Sequence, residues 1–166
     1  MPKGATAATR GKTADGSSSP QTWLLITSRE MWSTFERTSQ WAFHRHSMPQ
    51  ARRIQQADHG IVYLTRGRTS EPSALAAGLE FTEAGRMIQV LDSIGSFYPY
   101  RLPFRVVRVV NPPMPFRDLL PKLTFIPRRD RWGVFLQGKS AILLPDQDAG
   151  FMEEILALRD SQDAHP

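Results

Sequence analysis

The apolar residues of this 166-residue chain fall into short runs, and that spacing limits its fold more than any other feature. Short runs of apolar and β-branched residues bounded by glycine, proline and polar residues are typical of strands. We predict strands over residues 23–27, 60–65, 76–82, 86–91, 104–110, 132–136 and 141–144. The predicted fold class is α+β, in which five to six strands form a curved mixed sheet or partly closed barrel with flanking helices.

Helix signals are weaker and lie between these runs. Thr27 and Glu30 have the spacing of a capping box, which predicts a short helix through Phe35. Pro49 suits the first turn of a helix over residues 50–57. Further helices are predicted over residues 116–123 and 147–159, and residues 111–113 (NPP) are predicted to end the strand before them.

Composition predicts one folded domain between two tails. Residues 1–21 are small and polar and are expected to be disordered, residues 22–160 form the domain, and residues 161–166 form a C-terminal tail. The absence of cysteine excludes disulfides and thiolate zinc sites. The sequence contains no apolar stretch long enough for a signal core or a membrane span, so we expect a cytoplasmic protein that does not bind membranes.

Positive charge is concentrated in one stretch of the chain. The formal net charge is +5, and arginine supplies 17 of the 21 basic residues. Residues 101–139 hold nine Arg or Lys and two Asp, whereas residues 140–166 hold one Arg and six Asp or Glu. Because arginine binds phosphate in bidentate fashion and stacks on flat rings, one interpretation is a face for a phosphate-bearing partner. An ordinary solvated surface is the other.

Residues 133–140 (GVFLQGKS) match the phosphate-loop pattern G-x-x-x-x-G-K-S. That motif requires a buried strand before it, a loop within it and a helix after it. Here a polar run precedes the match, the spacer Val134-Phe135-Leu136 favours a strand, and a strand ended by Pro145 follows. We therefore predict a hairpin that turns at residues 137–139, and a nucleotide-binding enzyme is the alternative.

Other signs of catalysis or metal binding are few. His44 and His46 lie two residues apart, but without a third ligand a surface or phosphate-contacting role is the preferred interpretation. The sequence shows no nucleophile-turn, paired-carboxylate or H-E-x-x-H motif. No metal and no cofactor are predicted.

Two tryptophans are candidates for stacking on a base. Trp41 lies in a stretch without clear periodicity, and Trp132 follows the basic run at residues 128–131. An aromatic ring beside basic residues can stack a nucleobase while the cations hold the backbone. Core packing is the alternative for both.

Several segments, taken in order, resemble the EVE domain, a member of the PUA-like group that is related to the YTH domain. The segments are residues 23–28 (WLLITS), Trp41 with Arg52 and Arg53, residues 60–64 (GIVYL), 98–101 (YPYR), 115–126, 131–138, and the helix after Leu144. The match covers about residues 22–159, and order and spacing carry it. The resemblance implies a non-enzymatic, PUA-like module whose pocket accepts one flipped, modified base of DNA or RNA.

The resemblance also implies which residues form the site. Trp41 would be the pocket wall, Thr27, Ser28 and Arg29 would contact the base, and Gln137 and Gly138 would close the pocket. The residues implied to hold phosphates are Arg128, Arg129, Arg131, Lys139, Arg52 and Arg53. Residues 83–86 (EAGR) hold none of the cage aromatics that YTH domains carry after the third strand. A cytosine derivative, or a cage completed by Tyr63 or Phe97, is therefore left open, as is a module whose basic face binds an acidic protein.

Overall fold

One mixed sheet of seven strands organises the described part of the chain. The computed structural model describes residues 18–89, 92, 94, 95 and 97–163, with residues 161–163 described by backbone alone. The strands are β1 (Thr22–Thr27), β2 (Gln40–Phe43), β3 (His59–Leu64), β4 (Ala74–Phe81), β5 (Arg86–Met87), β6 (Tyr100–Pro115) and β7 (Ala141–Leu143). The α-helices are α1 (Arg29–Thr38), α2 (Met48–Ala51), α3 (Trp132–Leu136) and α4 (Asp146–Asp163), and short 3-10 helices span Arg45–Ser47, Phe116–Asp118, Leu120–Lys122 and Arg129–Arg131.

The sheet order is β2-β6-β4-β3-β1-β7, with β5 pairing β6 off this path. Only β1 and β3 run parallel among the described strand pairs, in a register that joins Thr22 to His59 and Thr27 to Leu64. The remaining described pairs are antiparallel. The predicted α+β class with a curled mixed sheet is thereby confirmed.

Strand β1 is apolar at consecutive positions because both of its faces are covered. Trp23 and Leu25 belong to one buried core with α1 and β2, whereas Leu24 belongs to the other core, which includes α4. All three side chains are fully buried. A continuous apolar run of this kind is the signature of a central strand, which is why the sequence predicted β1 correctly.

Helix α1 begins one residue later than the capping box suggested. The N-cap is Ser28, whose hydroxyl accepts a hydrogen bond from the Met31 backbone N–H at 3.1 Å. Thr27 is instead the last residue of β1. Ser28 is the N-cap instead of Thr27 because the β1–β3 pairing continues through Thr27. Thr27 therefore remains extended and the helix starts after it.

Strand β6 runs through the prolines that were predicted to end it. Leu75 of β4 pairs with Met114, but Ala77 pairs with Val109, so residues 110–113 lie in an irregular stretch without partners in β4. Proline lacks an N–H and is tolerated where the ladder is interrupted. The predicted strand therefore continues to Pro115.

Residues 132–136 form helix α3, and the predicted strand and hairpin are wrong. Leu136 is buried, and Trp132 and Phe135 pack against the same core. This spacing of three and four residues points one helical face inward, so tertiary packing overrides the strand propensity of the segment.

The helix predicted over residues 50–57 is shorter and earlier, at Met48–Ala51, with Pro49 in its first turn as expected. The buried Asp58 carboxylate accepts hydrogen bonds from the Gln55 N–H at 2.9 Å and the Trp23 indole N–H at 3.1 Å. Ala57 has a positive φ of 70°. These contacts hold a turn where the helix was predicted.

Some predictions fall partly outside the described residues. These are most of the predicted N-terminal tail, residues 164–166, and the end of the predicted strand 86–91, of which only Arg86–Met87 is described as strand. Helix α4 extends to Asp163, four residues beyond its predicted end. No helix in the described ranges is both long and apolar enough to cross a membrane.

Candidate ligand-binding site

The carboxyl ends of the parallel strands β1 and β3 open into a cavity of about 540 Å³, which we call the strand-end cavity. Parallel strands end at the same edge of a sheet, and ligands commonly bind beyond such ends. Thr27 ends β1 here and Ser28 follows it, Thr65 and Arg66 follow β3, and α3 with the turn at residues 137–139 forms the opposite wall.

Aromatic rings form one side of the strand-end cavity. Trp132 is half-buried and lines the cavity together with the buried Tyr63. The Trp132 ring centroid lies 5.3 Å from that of Phe116 and 6.3 Å from that of Tyr63, so the indole is supported from behind. A ring fixed in this way can stack on a flat ligand with little loss of side-chain entropy.

Polar groups complete the lining. Thr27 and Ser28, implied to contact a base, and Gln137 and Gly138, implied to close the pocket, line the strand-end cavity. Gly138 has φ +76°, which turns the chain from α3 toward β7 and favours glycine. Burial raises the pKa of Tyr63 above its ordinary value, although its hydrogen bond with Ser73 acts in the opposite direction. The Tyr63 hydroxyl is therefore neutral at physiological pH and can donate or accept.

Arg29 and Trp41, the other two residues assigned to the base pocket, do not line this cavity. The Arg29 guanidinium donates to the carbonyls of Thr65 at 3.3 Å and Pro72 at 2.9 Å and pairs with Glu71. Arg29 thus braces the loop after β3 from outside.

Trp41 lies in the interior, and its assignment as the pocket wall is corrected. The side chain is 1% exposed, and its ring centroid is 4.8 Å from that of Phe35 and 6.1 Å from that of Trp32. The stretch without clear periodicity is in fact the four-residue strand β2, paired with the start of β6. Trp132, and not Trp41, lines the strand-end cavity.

The cations assigned to phosphate binding are spread over three regions. Lys139 lines the strand-end cavity, where its ammonium donates to the Phe135 carbonyl and lies 4.4 Å from the centroid of the Phe135 ring. Arg131 is exposed beside Trp132. Arg128 and Arg129 line a separate, open cavity of about 640 Å³. Arg52 and Arg53 line neither of these cavities and lie just after α2, with Arg53 over the Trp23 ring.

A second cavity of about 390 Å³ adjoins the strand-end cavity, and we call it the flanking cavity. The two share Trp132, Arg66 and Ser73 in their linings. The flanking cavity also contains Pro72, Pro115, Ser70, Arg117 and Asp118. Neither Arg66 nor Arg117 was predicted as a site residue. For Arg66 the available signal was the polar loop after a predicted strand, but its position beside the strand-end cavity depends on the parallel pairing of β1 and β3.

The segment that matches the phosphate loop has the wrong order of elements for one. Helix α3 precedes the turn at residues 137–139 and β7 follows it, whereas a phosphate loop has the strand first and the helix last. The backbone N–H of Lys139 donates to the Leu136 carbonyl at 3.2 Å, and that of Gln137 to the Gly133 carbonyl at 3.1 Å. These donors are used within the turn and do not form a nest for phosphates.

The two histidines at positions 44 and 46 contact each other. The rings of His44 and His46 stack with centroids 4.7 Å apart, and His44 Nδ1 accepts from the His46 N–H. Among the described residues no group of three or more His, Cys, Asp or Glu side chains is arranged to hold a metal ion.

Comparison with known proteins gives distant relatives. No family model matches the chain. It is 24% identical over 142 residues to the UPF0310 protein of Pyrococcus abyssi (81% of this chain, 98% of the relative). It is 22% identical over 143 residues to the UPF0310 protein of Pyrococcus horikoshii (81% and 97%).

Solved structures agree with one another on the fold. The YTH domain of Zygosaccharomyces rouxii MRB1, in complex with N6-methyladenosine RNA, has a TM-score of 0.61 at 13% identity and covers 82% of this chain and 86% of that one. Human THYN1 in complex with DNA containing 5-methylcytosine has a TM-score of 0.55 at 11% identity, over 84% and 98%. The chain thus has the PUA-like fold of the EVE, DUF55 and YTH domains, as its sequence resemblance implied.

Proposed function

We propose that this protein is a nucleic-acid-binding module that accepts one modified base in the strand-end cavity and performs no chemistry on it. The observation that carries the proposal is the supported Trp132 ring, which faces polar groups at the ends of two parallel strands. The volume of about 540 Å³ falls in the range of small-ligand sites, roughly 300–1,000 Å³.

The lining suits a flipped base with an added methyl group. The indole of Trp132 offers a stacking face, and alanine substitution at such a face costs roughly 1–3 kcal/mol per base. Thr27, Ser28 and Gln137 supply donors and acceptors for a base edge. Burying one methyl group adds about 0.8 kcal/mol, or about fourfold in affinity, so an apolar wall distinguishes a methylated base from an unmodified one.

Cations near the cavity suit the phosphate backbone. Arg66 and Lys139 belong to the cavity lining, and Arg131 is exposed next to Trp132. The comparisons support the same ligand class, because two proteins of this fold were solved with a methylated base in RNA or DNA. Binding without catalysis, and residence in the cytoplasm, belong to the same proposal.

Fluorescence-polarisation binding tests this function. The probes are matched single- and double-stranded oligonucleotides that are unmodified or carry 5-methylcytosine or N6-methyladenine, each measured at two salt concentrations. We expect a preference for one modification and an affinity that falls with salt, because phosphate contacts release counterions. Equal affinity for every probe would contradict recognition of a modified base, and insensitivity to salt would contradict phosphate contacts.

Trp132→Ala locates the site. We expect it to weaken binding of the preferred probe by about 1–3 kcal/mol and to remove the preference. Val134→Ala is the matched control, because Val134 lies on the same helix, is 68% exposed and does not line the cavity. Since Trp132 also packs on Phe116, thermal unfolding of each variant is compared. The exposed Gln137 provides a second variant, Gln137→Ala, that should reduce the preference without loss of stability.

A further inference from the structure

The strand-end cavity and the flanking cavity lie side by side and share three lining residues. Trp132 lines both, and Arg66 and Ser73 lie at their junction. The Trp132 ring, which forms the wall between the two cavities, rests on Phe116, and Phe116 is fully buried. The Phe116 N–H donates to the Ser73 carbonyl at 2.9 Å, which holds the two segments together. A ligand in one cavity therefore has a preformed second compartment directly beside it.

The charges of the flanking cavity suit a single phosphodiester. Its charged side chains are Arg66, Arg117 and Asp118, so two guanidinium groups face one carboxylate and leave an excess of one positive charge. A bridging phosphodiester carries one negative charge and presents the oxygens that arginine binds. The rings of Pro72 and Pro115 supply apolar surface on which a sugar can rest.

Arg117 is available for such a contact. Its side chain is exposed and makes neither a hydrogen bond nor an ion pair with any residue in the described ranges. Its backbone is held in the 3-10 helix Phe116–Asp118. Arg66 is only lightly engaged, donating from Nε to the Thr69 carbonyl at 3.4 Å. An unengaged arginine gives up no existing contact when it binds an anion, and ordering its side chain costs about 0.5–1.5 kcal/mol.

We infer that the flanking cavity binds the sugar–phosphate step next to the base held in the strand-end cavity, with Arg117 and Arg66 on the phosphodiester. This inference rests on the proposed function. It names a ligand larger than a nucleoside: a modified base within a strand, with a charged linkage on one defined side.

A neutral linkage tests the inference. The probes are short single-stranded DNAs with a central 5-methylcytosine or cytosine, in which one methylphosphonate replaces the phosphodiester on the 5′ or the 3′ side. We expect one of these two positions to weaken binding to the unsubstituted protein about tenfold, as for a lost charge-assisted contact. Arg117→Gln should weaken binding of the fully charged probe similarly, and the neutral linkage should then cause a clearly smaller further loss, because only the Arg66 contact with the phosphodiester remains to be lost.

Arg86→Gln is the matched control. Arg86 is exposed in β5, which pairs with the first residues of β6, whereas the flanking cavity lies at Pro115, the other end of β6. This variant should keep the full loss at the neutral linkage. The inference is overturned if neither neutral linkage weakens binding, or if the losses from Arg117→Gln and the linkage simply add.

The outcomes for the two proposals are separate. One outcome is that the unsubstituted protein prefers neither 5-methylcytosine nor N6-methyladenine but still shows coupling between Arg117 and the linkage. This outcome contradicts only the modified-base function. Preference without coupling contradicts only the flanking site. Absence of binding to every probe contradicts both.

Discussion

Trp41 and Trp132 were both candidates for stacking on a base, but they lie in different environments in the structure. Trp41 is 1% exposed between Phe35 and Trp32, whereas Trp132 is half-buried at the wall of the strand-end cavity. Burial depends on which residues approach from distant parts of the chain, and local periodicity does not report this. The family resemblance grouped Thr27, Ser28, Gln137 and Gly138 with Trp41; the first four line the strand-end cavity, whereas Trp41 does not.

At the residue scale, Trp41→Ala is expected to damage folding and to leave ligand choice alone. Removing a buried tryptophan side chain costs about 3–5 kcal/mol, through lost burial and the cavity left behind. Urea unfolding measures the loss, and the matched comparison is Phe97→Ala, since Phe97 is 73% exposed. A stable Trp41→Ala variant that has lost its preference for a modified base would restore Trp41 as a pocket residue.

At the scale of elements, the parallel pair β1–β3 creates the site. Both strands were recognised from their apolar runs, but parallel pairing depends on the path of the intervening chain, which the pattern of one sequence does not encode. Helix α3 was mistaken for a strand because Val134, Phe135 and Leu136 favour strands, and its packing against the core decides otherwise. Sequence reasoning therefore found both sides of the cavity but misassigned the type of one.

The order of elements around residues 133–140 leads to a prediction about nucleotides. Because α3 precedes the turn and its N–H groups are used internally, we expect no tight, magnesium-dependent ATP binding. Isothermal titration calorimetry with Mg·ATP measures this, with Lys139→Ala as the comparison. Tight binding that depends on both magnesium and Lys139 would contradict the structural assignment of this segment.

At the scale of the whole molecule, the fold class was predictable because short apolar runs occur along most of the chain and strong helix signals are few. The seven-strand order was not, since it joins β1 to β7 and β2 to β6 across long separations.

The start of β6 places a charged side chain in the interior. Arg101 is fully buried and donates to Asp92 at 2.5 Å and 2.8 Å and to the Tyr98 carbonyl at 2.7 Å.

The Arg101–Asp92 pair predicts how global stability responds to acid. Hydrogen bonds from Arg101 lower the pKa of Asp92 from its ordinary value of 3.8 to about 2. A carboxyl group whose pKa is lower in the folded protein than in the unfolded chain stabilises the folded state at pH values above its unfolded pKa. This contribution is lost as the pH falls from about 4 to about 2.

Urea unfolding of the unsubstituted protein and Asp92→Asn between pH 6 and pH 2 measures this effect, since protonated aspartic acid and asparagine resemble each other. We expect the unsubstituted protein to be the more stable at pH 6 and the difference in unfolding free energy to shrink toward pH 2. A difference that stays constant over this range would show that the pair does not contribute through the charge of Asp92.

The pairing of β1 with β7 has a consequence for the synthesis of this protein. Trp23 faces Leu143 across the sheet, and the strand-end cavity joins Thr27 and Ser28 to residues 137–139, more than 100 positions later. A nascent chain that has left the ribosome only as far as β6 therefore exposes an unpaired edge of β1 and possesses one wall of the cavity. The cavity is therefore complete only after residues 137–143 have been synthesised and β7 has docked on β1, and contacts of such long sequence separation slow folding.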